Sequence, residues 1–140
     1  MKSLSTVACE LPVRLVVSHE LSLPLHMGLR YEAADPFAVR AAFSPVGDGP
    51  MVEWVFARDV LAQALTGHAG HGDVRMWPAD GEGQRVLYIA LNSPAGSALL
   101  EVPARGVEFF LRDTQSVVPP GTESDRLDLD SELAHLLAES

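Results

Sequence analysis

Cysteine occurs once in this sequence, at Cys9, so no disulfide can form within the chain. Lysine also occurs once, at Lys2, against nine arginines, a bias that fits GC-rich codon usage better than a function. No apolar run approaches the roughly 18 residues that a membrane-spanning helix needs, and neither end carries a lipidation motif. The opening Met1-Lys2-Ser3-Leu4-Ser5 leads into alternating apolar and polar residues and not into the continuous apolar stretch of a secretory signal. A cytoplasmic location without direct membrane insertion is therefore expected. The common catalytic signatures are missing as well: there is no Gly-x-Ser-x-Gly elbow, no phosphate-cradling glycine loop and no His-Glu-x-x-His pair.

Positive charge is scarce. Ten basic residues face nineteen acidic ones, for a formal charge of −9. The last twenty residues carry Glu123, Asp125, Asp128, Asp130, Glu132 and Glu139 against Arg126, which leaves about −4 for the rest of the chain. A field of that sign repels phosphate backbones and disfavours sequence-independent nucleic-acid binding.

What is present describes a folded protein. Apolar residues make up 47% and charged residues 21% of the 140 positions, the balance of a globular chain and not of a disordered one. A chain of this length buries about 68% of its unfolded surface, which supports a single domain over residues 1–140 without metal or disulfide staples. Val7, Cys9, Leu11, Val13, Leu15 and Val17 alternate with Ala8, Glu10, Pro12, Arg14 and Val16, the pattern of a long half-buried strand. Pro12 has no amide hydrogen to donate, which argues for an edge position or a bulge in that strand. Alternation continues through Leu25–Tyr31 and Phe37–Phe43, and the three runs suggest an antiparallel meander with one wet face. A fourth strand, Met51–Phe56, runs directly into Ala57, Val60, Leu61, Ala64 and Leu65 at helical spacing. The Gly67–Gly72 stretch reads as a loop. Strands follow near 73–77, 84–91 and 97–102, then a helix with Ala104, Val107, Phe110 and Leu111 on one face. After Pro119-Pro120-Gly121, Leu129, Leu133, Leu136 and Leu137 line a short C-terminal helix over about 128–139, capped by Asp128 or Asp130.

One junction occurs twice. Val55-Phe56-Ala57-Arg58-Asp59-Val60 aligns with Val102-Pro103-Ala104-Arg105-Gly106-Val107, and both copies lie where a strand hands over to a helix. The chain thus reads as α+β, a pseudo-duplicated antiparallel sheet plus helix with halves at about 5–67 and 72–118.

Few side chains suggest chemistry. His68 and His71 have a spacing that could hold a metal, but no cysteine or carboxylate pair completes the set, so a solvated loop is the favoured reading and no metal or cofactor is expected. Glu53 and Asp59 are better explained as a wet-face carboxylate and a helix-dipole partner than as an acid–base pair. Cys9 reads as packing, not as a reactive thiol. Arg58 and Arg105 sit in first helical turns, where the macrodipole disfavours a cation and something must compensate. A structural ion pair is favoured there over a subunit or partner contact. Trp54 reads as core, while Trp77 shares its strand face with Asp73 and Arg75 and reads as an exposed anchor, for a protein more than for a base given the acidic total. The leucine row with Leu133 and Leu136 either docks on its own sheet, which is favoured, or fills a partner's groove. The interface candidates are Arg58, Arg105, Trp77, Leu133 and Leu136.

Across nearly its whole length the chain resembles the SsgA-like proteins of filamentous, spore-forming actinobacteria, nearest to the SsgB branch. The residues that carry the likeness are Glu10-Leu11 with Arg14-Leu15-Val16-Val17, Gly28-Leu29-Arg30-Tyr31, Asp35-Pro36-Phe37-Ala38-Val39, Glu53 through Asp59, Gly72 through Pro78, Pro119 through Glu123 and Asp128-Leu129-Asp130. The resemblance implies a non-enzymatic regulator of sporulation-specific cell division without a small-molecule substrate. Such a protein helps to place the tubulin-like division GTPase FtsZ at future septa, together with other SsgA-like or septal proteins. It also implies a whirly-like fold, a duplicated four-stranded sheet plus helix, and a homo-oligomer with a trimer favoured. The whirly nucleic-acid signature includes a lysine-bearing strand motif that this chain lacks, so single-stranded nucleic-acid binding stands as the alternative function.

Overall fold

The computed structural model describes residues 6–45, 51–81, 83–125 and 136–137. The alternating run at the start becomes β1 (Thr6–Val16), which forms a long antiparallel hairpin with β2 (Ser22–Glu32) in register from Thr6 opposite Glu32 to Val16 opposite Ser22. β3 (Ala38–Pro45) and β4 (Val52–Ala57) extend the sheet, and α1 (Arg58–Gln63) follows β4 without a connecting loop. The second half repeats the plan with β5 (Ala69–His71), β6 (Val74–Gly81), β7 (Gln84–Ser93), β8 (Gly96–Pro103) and α2 (Ala104–Val117). All eight strands form one antiparallel sheet, in the order β4-β3-β2-β1-β8-β7-β6-β5. The duplicated sheet plus helix anticipated from the repeat is present, each half has the four strands that the resemblance implies, and the two halves join where β1 meets β8.

That join corrects one expectation: β1 lies in the middle of the sheet, not at its edge. Its pairing with β8 covers just Arg14 opposite Glu101 and Leu15 opposite Leu100. Two residues further along the same register, Pro12 would stand opposite Pro103, and neither proline has an amide hydrogen to contribute. The ladder stops where its donors stop, so Pro12 is tolerated in a central strand. Beyond that point α2 takes over as the neighbour of β1. Its Gly106 comes so close that a Cβ there would lie 2.5 Å from Cδ2 of Leu11.

A second correction concerns residues 67–72. The stretch contains β5, whose three residues pair with β6 from Ala69 opposite Met76 to His71 opposite Val74. Gly70 holds a left-handed φ of 89°, and a Cβ at this position would collide with the backbone oxygen of Val74. Three residues with a glycine in the middle show no alternation, which is why the sequence pattern reads as loop. The expected C-terminal helix lies outside the described residues apart from Leu136 and Leu137.

The core occupies one face of the sheet beneath the two helices. From β1 and β2 come Val13, Met27, Leu29 and Tyr31; from β3 and β4, Val39, Ala41, Phe43 and Phe56; from β6, β7 and β8, Met76, Leu87, Ile89, Leu91, Leu100 and Val102. They share a face because successive strand side chains alternate. α2 adds Ala104, Val107, Phe110 and Leu111, the row read from the sequence, plus the buried Thr114. Full burial of each large apolar side chain contributes about 1.5–3 kcal/mol, so the helix is held by this stripe and not by its ends. Neither helix has a side-chain N-cap: Ala57 and Pro103 occupy those positions.

Candidate interaction site

The repeated junction is where the two halves diverge chemically. In the first copy, Arg58 begins α1, and its amide donates to the carbonyl of Phe37 at 2.7 Å. Its side chain turns inward and is 3% exposed. The guanidinium lies over the ring of Tyr31, 4.8 Å from the centroid. Nη1 donates to the carbonyls of Val118 at 2.8 Å and Thr114 at 3.3 Å, while Nη2 donates to Oε2 of Glu123 at 2.5 Å. The other oxygen of Glu123 accepts the amide of Gly121 at 2.9 Å. The hydrogen bond from Arg58 holds the Glu123 carboxyl below the usual glutamate range, against the opposing pull of burial. A cation that begins one helix is thus placed at the carbonyl end of another, where the macrodipole favours it. The compensation required at Arg58 is internal to the fold, and its side chain is not a surface group.

In the second copy, α2 begins at Ala104, and Arg105 in its first turn remains at the surface. Its guanidinium stands over the ring of Phe109, 5.7 Å from the centroid, and Arg112 stands over the same ring at 5.3 Å. Phe109 is 49% exposed. Among the described residues neither Arg105 nor Arg112 has a carboxylate within 4 Å or a hydrogen-bonding partner for its guanidinium.

Trp77 is half-buried on the face of the sheet opposite the core. Its cross-strand partner Tyr88 lies 5.9 Å away between ring centroids, and His68 stacks on it at 5.5 Å with 11° between the planes. His68 therefore serves as a cover for Trp77, and among the described residues no group of three His, Cys, Asp or Glu side chains is placed to hold a metal. Leu136 is exposed, and Leu133 lies outside the described residues. Trp54 packs against the core, as its strand face indicates. Glu53 lies on the outer face, with Oε1 3.8 Å from Nη1 of Arg40.

An open trough of about 1230 Å³ crosses the join between the halves on the face opposite the core, lined by Pro12, Arg14, His19, Tyr88, Glu101 and Pro103 among others. Within it Nη1 of Arg14 donates to the hydroxyl of Ser22 at 3.1 Å. Sequence reasoning missed the trough, since its walls come from strands brought together across the join.

Cys9 packs against the core edge beside α2. Burial, with the negative charges of Asp113 and Glu10, pushes its thiol pKa up. At pH 8 the native protein is expected to react with a disulfide reagent roughly tenfold or more slowly than free cysteine, and at the free rate once unfolded in guanidinium. A fast native reaction would show that the thiol is open to solvent.

The continuous sheet carries aromatics and arginines on its surface, and its buried ion pair is consumed in holding the helices together. Residues 25–123 match the family described as Streptomyces sporulation and cell division protein, SsgA. The chain is 59% identical over 136 residues to the sporulation-specific cell division protein SsgB of Streptomyces coelicolor, covering 97% of this chain and 98% of that protein. It is 46% identical to SsgB of Frankia casuarinae, over 94% of this chain and 92% of the relative. Among solved structures, an SsgB chain from work on longitudinal cell division during sporulation of Streptomyces coelicolor superposes with a TM-score of 0.84 at 55% identity, over 90% of this chain and 99% of that one. The SsgA-like sporulation-specific cell division protein of Thermobifida fusca superposes with a TM-score of 0.86 at 40% identity, over 96% and 98%. The chain belongs to the SsgA family of sporulation and cell division proteins, which is not a class of enzymes.

Proposed function

We propose that this chain acts in sporulation-specific cell division as a non-catalytic protein-binding module that recruits or positions the division GTPase FtsZ at septum sites. The observation that carries this reading is the near full-length 59% identity to a protein named for that process. No helix among the described residues is long and apolar enough to cross a membrane, and the proposal places the protein's action on the cytoplasmic side of the septum, through partners. We further propose that it works as a homo-oligomer, a trimer in the favoured form, alongside other SsgA-like or septal proteins. Several weak contacts along a filament then add up to firm attachment by raising effective concentration. Arg105 and Leu136 are surface positions suited to such contacts, Trp77 would contribute only if its His68 cover moved aside, and Leu133 belongs to the same proposal.

The test is reconstitution with purified FtsZ and GTP. Light scattering should rise and the chain should pellet with the polymer, while scattering without GTP should stay at baseline. Absence of co-pelleting at tens of micromolar of both proteins would refute direct recruitment.

A further inference from the structure

Arg58 and Arg105 are equivalent by the internal repeat, and each guanidinium lies over an aromatic ring. Arg58 is completed by a carboxylate, that of Glu123. Arg105 has the ring but, among the described residues, no acid within 4 Å, and Arg112 on the far side of Phe109 is in the same state. We infer that the missing carboxylates come from outside: the exposed stripe Arg105–Phe109–Arg112 of α2 is a docking site for an acidic peptide segment of a partner protein.

The geometry specifies the occupant. An aromatic ring accepts no N–H···O bond, so the fork of N–H donors on each guanidinium stays available for bidentate pairing with a carboxylate. The two arginines are seven residues apart on a regular helix, hence about 10 Å apart along its axis. Two carboxylates three residues apart on a polyproline II segment, with three residues per turn and about 3.1 Å of rise each, share one face and span nearly the same distance. A matching segment therefore reads acid-x-apolar-acid, its two acids in line with the arginines and its apolar side chain turned to the edge of Phe109. Arginine and aromatic residues of this kind are the usual anchors of protein interfaces. The rest of the stripe disfavours a nucleic-acid strand. Glu108 lies between the arginines and Asp113 follows them, so a continuous line of phosphates would meet two carboxylates, on a chain whose total charge is −9. A peptide with discrete acids can place each one against an arginine and avoid both.

The inference rests on reading the chain as a protein-binding module but not on FtsZ being the partner. The probe contains no FtsZ, so the two can fail separately. The full-length protein, labelled with nitrogen-15, is titrated with the capped peptide Asp-Ala-Leu-Asp, with Lys-Ala-Leu-Lys as control. Amide shifts should change in a saturable way around residues 104–113 with the acidic peptide alone, and the effect should fade with added salt. The R105Q/R112Q variant should bind at least about tenfold more weakly, and R105K/R112K, which keeps the charge but not the planar fork, should recover little. Both variants alter exposed side chains, so their melting temperatures should match the parent. Shifts that are absent, equal for the lysine peptide or located elsewhere would overturn the inference. So would a drop in solution mass on R105Q/R112Q substitution, which would assign the stripe to a second copy of this chain. Preferential binding of a single-stranded oligonucleotide at these amides would assign it to nucleic acid.

Discussion

Arg58→Ala is expected to cost about 3–5 kcal/mol of stability, because it leaves the Glu123 carboxylate buried without its cation. At about 3 °C per kcal/mol for a chain of this size, the melting temperature should fall by about 10 °C or more. Glu123→Ala should cost a similar amount, since it strands the guanidinium. The double variant should cost much less than the sum, because each single change already removes the shared interaction. A pH series adds an independent check. The folded-state pKa of Glu123 is depressed, so its contribution is complete above the unfolded value near about 4.3 and is lost as pH falls through that range towards the folded value. Glu123→Gln should flatten the acid limb of the stability curve. Calorimetry and denaturant melts at pH 7 and pH 3.5 make the measurement. Additive single losses with no change in acid slope would mean that the pair is not a coupled unit.

Phe110→Ala should be the other severe change, at about 3–5 kcal/mol by urea unfolding. Phe110 is 1% exposed and anchors α2 to the sheet. The consequence reaches beyond the cavity, because the C-terminal end of α2 supplies the Thr114 and Val118 carbonyls that hold Arg58. Loosening the helix therefore weakens the ion-pair node as well, and Phe110→Ala combined with Arg58→Ala should cost less than the two separate losses together. Phe109→Ala, one residue away on the exposed stripe, should leave stability within about 0.5 kcal/mol of the parent. A loss at Phe109 as large as that at Phe110 would show that α2 is docked in a different rotation.

Much of this fold is legible because its elements announce themselves locally. The alternation from Val7 to Val17 and the four apolar positions of α2 are each contained within one element, where the period of the side chains is the signal. The repeat at Arg58 and Arg105 is likewise visible as letters, and it points correctly to two units of strands plus helix. The candidate sites are harder to read. Trp77 is identifiable as a residue on the outer face, but its shielding by His68 and Tyr88 depends on β5 and β7 arriving on either side. The position of β1 is misread because a proline in a strand usually signals an edge, and the pairing of a ladder's end with a second proline, Pro103, cannot be inferred from Pro12 alone.

By itself the sequence determined the class of fold, the doubling of the unit, the helix faces and the acidic, lysine-poor surface, since each follows from residue type and short-range spacing. The fates of the two repeated arginines were decided by tertiary structure alone. Similar surroundings in sequence place both in first helical turns, yet one is drawn inward by carbonyls and a carboxylate 56 to 65 residues away, and the other is left over an exposed ring. Contacts at that separation depend on how the two halves join at β1 and β8, and no local period encodes them.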